Sequence, residues 1–514
     1  MRSNAHTKGR AIRSGIAAIV AAGLLVAALN APGAGAATAA GRRPTKQVDL
    51  SDVQLSSLPD GNGIPQRSAA AADARAPLPA SYIETEYLFE GTATLYAGKV
   101  TGPVTVESDG HAFTTRILVR APAEPSDFSG TVWVEPLNTT GGGDLDAIWG
   151  SIAPLIEERR DAWVGVTVRA GQVSRLQTFD PVRYADIDFD ANGYSWDILR
   201  KVGALVKTNG PRSPLAEFRV QHILMVGYSQ SGVDSSTFAL ALHGLTRLRN
   251  GAPVYDGYLL GARESNLTPL QSGDSIIPKF EHAKIRGVDV PVVGIEPQSD
   301  VEGFAVEIPT ALAQSEGVAG AEDITTPSFT YTTPGGATVR RPDANKKNDH
   351  FRLYEIAGAS HGTGPSEGCI GSTSFPIQRF TRAAAANLAT WAEDDVAPPK
   401  GPRIDLAVDD VVSDAEADED GNGVGGVRSP YVDVPLSHYE VHSRPGPLCN
   451  LRGIETLLTA DVLVERYGDI EGYMEEFTKS LDATIKAGFL LELDRALILE
   501  EQEARATVAF ATDE

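Results

Sequence analysis

Three residues in this chain have the types and settings that acyl chemistry requires: Ser229, Asp300 and His361. A serine hydroxyl is a poor nucleophile until a base takes its proton, and the base in turn needs a carboxylate to fix its tautomer. Ser229 lies in Gly227-Tyr-Ser-Gln-Ser-Gly232, directly after the apolar run from His222 to Gly227 and before a helical stretch carrying Phe238, Leu240 and Leu242. Strand, small-x-Ser-x-small, helix is the pattern of a sharp turn that lifts a serine oxygen clear of a sheet, with the positive end of the helix dipole close to a developing oxyanion. Ser231 stands where the second small residue is usually Gly; taking Ser231 itself as the nucleophile would put Val233 at the crowded position, so Ser229 is preferred. Asp300 ends the segment Val290-Pro-Val-Val-Gly-Ile-Glu-Pro-Gln-Ser-Asp300, where Glu296 is a rival acid, and His361 follows the apolar run Arg352–Ala357 by a short loop. An oxyanion needs two N–H donors. The backbone N–H of Gln230 is one; the second is expected at Asn138, with Leu137 as the alternative, at the end of Val132-Trp-Val-Glu-Pro-Leu-Asn138. The glycines 141–143 that follow would let backbone approach a substrate.

These side chains must be positioned by elements, and the chain supplies eight strand-like runs: Glu84–Tyr96, Phe113–Ala121, Thr131–Asn138, Ala162–Arg169, His222–Gly227, Asp256–Arg263, Val290–Glu296 and Arg352–Ala357. Many are continuous apolar runs, as expected of strands covered on both faces. Helical spacing appears in Leu145–Arg159 and Tyr194–Val206, where Trp149 and Trp196 fall on apolar faces and read as core. No helix separates the first two strands, so the sheet starts antiparallel. The remainder alternates strand and helix, which calls for an α/β fold with a mainly parallel, eight-stranded sheet and helices on both faces. Each of the three reactive residues falls just past the carboxyl end of a strand, where open α/β sheets hold their sites. The segment 301–348, rich in Gly, Pro and Thr, reads as an insertion or lid between the acid and the histidine; helical periodicity from Ile454 onward marks a C-terminal helical extension. The expected divisions are 1–36 signal peptide, 37–78 flexible leader, 79–400 core and 401–514 extension packed on that core.

Composition narrows the partners. With 514 residues, 42% of them hydrophobic, the chain can bury a real core; with 45 Lys and Arg against 68 Asp and Glu, its formal charge of −23 argues against nucleic acid and anionic lipid. Arg2, Lys8, Arg10 and Arg13 precede the apolar run Ile16–Leu29, and Ala34-Gly-Ala36 resembles a cleavage site. Such a run spans roughly 21 Å as a helix, short of a bilayer core of about 30 Å, so it reads as an export signal that leaves no membrane anchor. Export would let the only two cysteines, Cys369 and Cys449, form a disulfide. Asp418-Glu-Asp-Gly-Asn422 begins like a calcium loop, but Ser429 stands where a bidentate Glu is needed. His438 and His442 share strand spacing without a third ligand, so no metal site is assigned.

The chain resembles the bacterial proteins described as alpha/beta hydrolase domain-containing, within the α/β-hydrolase superfamily. The resemblance runs from about Tyr82 to Ala511 and rests on Thr115-Arg-Ile-Leu-Val119, Gly130-Thr-Val-Trp-Val-Glu-Pro-Leu-Asn138, Gly227-Tyr-Ser-Gln-Ser-Gly232, Tyr354-Glu-Ile-Ala-Gly358 with His361, and Gly425-Gly-Val-Arg428 with Asp433-Val-Pro435. It implies an α/β-hydrolase fold, a serine hydrolase with Ser229, Asp300 and His361 as its triad, and a C-terminal segment belonging to the same unit. Pro136 stands where a large aromatic is usual in that family, and Gln298 where Glu is common. The expected reaction is cleavage of a small-molecule or polymeric carboxylic ester through an acyl-enzyme, with no cofactor. The alternatives are an amidase or acyltransferase with the same triad, or an inactive extracellular binding protein on a hydrolase scaffold.

Overall fold

All eight expected strands are present, and they are the inner eight of a ten-stranded mixed sheet. The computed structural model describes residues 43–511 apart from 73, 141–142, 264–266, 271–283, 310–324, 326–327, 336–339, 409–412 and 445–448. The proposed signal segment and most of the 141–143 glycine loop therefore lie outside the described residues. In chain order the large sheet comprises β1 (Gln54–Ser57), β2 (Tyr82–Gly98), β3 (Val104–Pro122), β4 (Thr131–Pro136), β5 (Ala162–Val166), β6 (His222–Tyr228), β7 (Gly257–Gly261) and β8 (Val292–Pro297). After the hairpin β9 (Gly303–Pro309) and β10 (Ser328–Pro334) come β11 (Ala344–Lys346) and β12 (Asp349–Ile356), which complete the sheet. Its spatial order is β1-β2-β3-β5-β4-β6-β7-β8-β12-β11. The first three pairings and the last are antiparallel, while β5-β4-β6-β7-β8-β12 run parallel. The expectation of eight strands falls short by β1 and β11, edge strands of four and three residues, too short to announce themselves by periodicity.

The parallel centre is apolar on both faces, and each face carries its own core. One side packs α2 (Gly171–Phe179) and α3 (Ser195–Lys207), with Trp196, Leu199 and Val202 buried against Val134, Val164 and Met225. The other packs α1 (Trp149–Arg159) and α6 (Ile377–Asp394), with Trp149, Phe380 and Leu388 against Trp133, Leu224 and Leu259. Two short helices complete the carboxyl edge of the sheet, α4 (Gln230–Thr237) and α5 (Gln298–Glu302).

The C-terminal extension covers the second face. It contains α7 (Pro430–Asp433), a hairpin of β13 (Ser437–Glu440) with β14 (Ile454–Leu457), and then α8 (Ala460–Tyr467), α9 (Ile470–Lys486) and α10 (Glu492–Ala509). Ile454 thus begins a strand, and helix starts six residues later than its apolar spacing suggested. Tyr473, Phe477, Leu481 and Ile498 of α9 and α10 are buried in the same core as Trp391 of α6. Arg382 of α6 pairs with Asp494 of α10, and its Nε donates to the Ser151 carbonyl of α1 at 2.9 Å. The extension belongs to the same compact unit as the sheet.

Residues 43–78, expected from composition to be a flexible leader, are held against the sheet. Val53 is buried, β1 pairs with Tyr87–Glu90, and the Glu84 carboxylate accepts from Ser68 and from the Ala69 N–H. Compositional reading fails here because the partners are all distant in sequence.

Candidate active site

Ser229 follows directly on β6, with φ at 60° and ψ at −129°. That left-handed backbone is strained for a residue with a Cβ, and the crowding around it explains the small neighbours. A Cβ at Gly227 would overlap the Ser231 carbonyl, and one at Gly232 would overlap the Gly261 carbonyl on β7. Ser231 is tolerated because its hydroxyl turns back on the turn, donating to the Tyr228 carbonyl at 3.0 Å and accepting from the Tyr228 N–H at 3.1 Å.

The structure brings the three sequence-selected side chains into one row. Ser229 Oγ lies 2.9 Å from His361 Nε2, and His361 Nδ1 lies 2.7 Å from Asp300 Oδ1. A carboxylate only accepts, so Nδ1 carries the ring proton and Nε2 is left to accept from the serine O–H. Asp300 sits in α5 just past β8, fully buried, with its second oxygen accepting from Ser299 Oγ at 2.9 Å. Glu296, the rival acid, points elsewhere: its carboxylate faces Arg263 at 3.8 Å. His361 lies five residues beyond β12, and its carbonyl accepts from the Tyr228 hydroxyl at 2.9 Å. Burial, reinforced by the charges of Asp300 and Glu296, raises the Tyr228 phenol well above its usual range and keeps it a donor.

The oxyanion donors divide. Gln230 opens α4, where a helix leaves its first N–H groups without intrahelical acceptors, so its N–H is suitably placed beside Ser229. Asn138 does not fit the second role. Its N–H donates to the Leu145 carbonyl at 2.9 Å, closing a bridge across the loop, while its side-chain amide donates to the Tyr228 carbonyl at 2.9 Å. Leu137 fails for a related reason, because its N–H is spent on the Val166 carbonyl at 2.9 Å. The Thr139 N–H comes next, and it donates to the Gln230 side-chain oxygen at 2.8 Å.

A model of the family described as alpha/beta hydrolase domain matches residues 54–500 of this chain. The chain belongs to the alpha/beta hydrolase domain family. Among solved structures it is similar to a serine hydrolase without a lid, XC6422 of Xanthomonas campestris, at 13% identity and a TM-score of 0.25, covering 53% of this chain and 85% of that one. It is also similar to Thermogutta terrifontis esterase 2, at 13% identity and a TM-score of 0.30, covering 56% and 92%. No protein of curated function matches it in sequence.

Within this hydrolase domain, several residues that sequence reasoning left without a role hold the site in place. Arg116 and Arg120 of β3 are fully buried and reach the loop after β4: Arg116 pairs with Asp144 at 3.2 Å and Arg120 with Asp146 at 2.7 Å. The Arg120 guanidinium also lies over the rings of both Trp149 and Trp163, at 4.5 and 4.4 Å from their centroids. Glu135, fully buried on β4, accepts from the Ile148 and Trp149 N–H groups and so caps α1 from the side. On α5, Gln298 accepts from the Gly358 N–H at 2.8 Å and donates to Glu302 at 2.8 Å, which explains an amide where the family often carries Glu. Glu302 continues to His442 Nε2 at 3.1 Å, and His442 Nδ1 meets the Asn450 carbonyl at 3.0 Å. Burial disfavours the charged ring, but the Glu302 carboxylate, the Asn450 carbonyl and the Asp300 charge together outweigh it, and the His442 pKa is raised. Arg116 and Arg120, four apart on one face of β3 on either side of the apolar run Ile117–Val119, are a signal the sequence offered, since a charge there must find a buried partner; nothing local marks Gln298 or His442.

The remaining sequence candidates resolve into structural roles. Cys369 and Cys449 form a disulfide. In the acidic loop, Asp418 pairs with Arg428 at 2.9 Å, and Asp420 pairs with Arg466 at 2.5 Å, so those carboxylates answer arginines. His438 Nδ1 meets the Asp420 carbonyl at 2.9 Å. No group of three or more His, Cys, Asp or Glu among the described residues is arranged to hold a metal ion, and no helix among them is long and apolar enough to cross a membrane.

Proposed function

We propose that the chain is an exported serine hydrolase that cleaves carboxylic esters through an acyl-enzyme, with Ser229, His361 and Asp300 as its triad. The single observation that carries the reading is the Ser229 Oγ–His361 Nε2–Asp300 row, with steps of 2.9 and 2.7 Å, built on a strained turn at the head of α4. Ser229 Oγ attacks the ester carbonyl while Nε2 takes its proton, and Asp300 stabilises the resulting imidazolium. The Gln230 N–H and the dipole of α4 support the oxyanion. As the intermediate collapses, the carbon–alkoxy bond breaks and Nε2 returns the proton to the leaving alcohol. Water then repeats the sequence on the acyl-enzyme, with His361 as base, and releases the acid. Membership in a hydrolase family supports the reaction class. The cationic, apolar N-terminus and the Cys369–Cys449 disulfide support export to an oxidising compartment.

Labelling with a fluorophosphonate, beside a chain-length series of p-nitrophenyl esters, tests this. The wild type is expected to label once, on Ser229, and Ser229→Ala to lose both labelling and turnover, the latter by roughly a million-fold. A folded wild type that fails to label, or labelling that survives in Ser229→Ala, would overturn the assignment.

A further inference from the structure

The helix that carries the triad acid carries a second buried carboxylate. Glu302 lies two residues after Asp300 in the five-residue α5, and both side chains are out of water. Glu302 Oε1 accepts twice, from the Gln298 amide at 2.8 Å and from the Ala415 N–H at 3.1 Å, as an ionised carboxylate does. Its Oε2 faces His442 Nε2 at 3.1 Å, and His442 Nδ1 faces the Asn450 carbonyl at 3.0 Å. A carbonyl only accepts, so Nδ1 carries a proton; a carboxylate only accepts, so Nε2 carries one too. His442 is thus an imidazolium, and although burial opposes the charge, the same contacts hold its pKa above the usual range. The other ionisable side chains around it are His438 and Glu440 on β13, Arg444 beyond that strand and Asp414 before Ala415, which line the same cavity of about 530 Å³. Asp414, Glu440 and Arg444 are exposed, where water and salt screen them, and His438 is held by the Asp420 carbonyl. Glu302 is the buried anion that His442 answers at hydrogen-bond distance.

A bare anion two residues from Asp300 would add its field to that of the triad acid. It would favour positive charge on the His361 ring, so the ring would hold its proton to higher pH and fail there as a base. Beside an imidazolium the same carboxylate exerts little field at the distance of the triad, because the two charges cancel. We propose that His442 is the counter-ion of the acid helix: by neutralising Glu302 it leaves Asp300 as the only net charge of α5 and keeps His361 available as a base at neutral pH. This rests on the serine hydrolase reading above. His442 touches no reacting atom; it acts through Glu302 and is a positioning residue. The pair also has a mechanical tie to the site, since Gln298, which donates to Glu302, accepts from the Gly358 N–H three residues before His361. Charge and contact therefore have to be separated by experiment.

The test follows the second-order rate at which an uncharged fluorophosphonate labels Ser229 across the acid and neutral range, at fixed ionic strength. The rate rises as His361 loses its proton, and the midpoint of that rise is what each variant is compared by. His442→Gln leaves Glu302 without its counter-ion and should move the midpoint up by about half a pH unit. In Glu302→Gln the amide oxygen keeps both donors while its NH₂ faces a ring free to go neutral, so the midpoint should stay. His442→Gln with Glu302→Gln carries no charge at either position and should return the midpoint to the wild-type value. A role through contacts alone predicts the opposite pattern: His442→Gln would scale the rate at every pH, and the second substitution would restore nothing. A midpoint unmoved in folded His442→Gln, or not returned in the double variant, would overturn the proposal. If His442→Gln does not fold, His442→Lys with Glu302→Gln has the reverse net charge and should move the midpoint down by a similar amount; an unmoved midpoint there would overturn the proposal equally. A folded wild type that labels at no pH would instead remove the hydrolase reading itself.

Discussion

Gln298 both accepts and donates, and a carboxylate in its place could do only one of these. Gln298→Glu would set two carboxylates against each other on the short helix that carries Asp300, so it should cost about 2 kcal/mol of stability and lower kcat. The exchange Gln298→Glu with Glu302→Gln restores a donor between the two positions and should recover at least half of the loss. Urea denaturation and ester kinetics on both variants decide this, and a single variant as stable as wild type would contradict it. Glu135 is the residue where pH should tell. Its three donors favour the anion, but burial outweighs them and the carboxyl is pushed up to about 8 from an ordinary 4.5. The native state therefore holds this proton where the unfolded chain has lost it. Stability is unaffected below about pH 4.5, falls as pH rises toward 8 and then levels, by about 1.4 kcal/mol per pH unit within that window. Urea midpoints for wild type and Glu135→Gln should diverge accordingly; parallel curves would show that the proton is not held. At this scale the sequence was readable where chemistry is local. Ser229, Asp300 and His361 each stand just past an apolar strand, and strand ends can be found from pattern alone. Asn138 was misjudged because the direction of its N–H depends on Leu145 closing the loop from the far side, which no local pattern announces.

The hairpin β13–β14 and its approach are the elements that tie the histidine loop down. The Gly362 N–H donates to the Leu451 carbonyl at 2.8 Å, the Ile370 N–H donates to the Arg444 carbonyl at 2.7 Å, and the Cys369–Cys449 disulfide closes the same contact covalently. Replacing both cysteines in Cys369→Ser/Cys449→Ser should lower stability by on the order of 4 kcal/mol, since the bond closes a loop of 80 residues. With His361 less firmly placed, kcat should fall more than KM rises. Thermal denaturation and steady-state kinetics on the oxidised wild type and the double variant separate the two effects, and unchanged kcat would show that the hydrogen bonds suffice alone. Long elements such as α3 and β6 were legible because their apolar spacing is sustained. The hairpin was not: its strands have four residues each, and its partner, the loop after His361, lies some eighty residues away.

At the scale of the whole molecule, the order of strands and helices was enough to imply a wound α/β sheet, because alternating apolar runs and amphipathic helices leave few other arrangements. What the order could not convey is how the sheet ends. β2 has 17 residues and lies next to one border, yet β1 pairs with only four of them. Elsewhere along that border side chains answer the backbone: Asp52 accepts from the Thr92 N–H at 2.7 Å, and Asp197 accepts from the Thr94 N–H at 3.2 Å. The opposite border is closed by β11, three residues long. A carboxylate satisfies one N–H and offers the next chain nothing to pair with, whereas a long bare strand is a template. Residues 43–58 therefore protect the molecule from its own copies. A variant lacking them should show a particle mass that climbs with protein concentration in light scattering while the full chain's stays constant, and a deletion variant of constant mass would show that the border needs no cover. For any hydrolase released among crowded copies of itself, that narrow strip of chain would then matter less for holding one molecule folded than for keeping many of them apart.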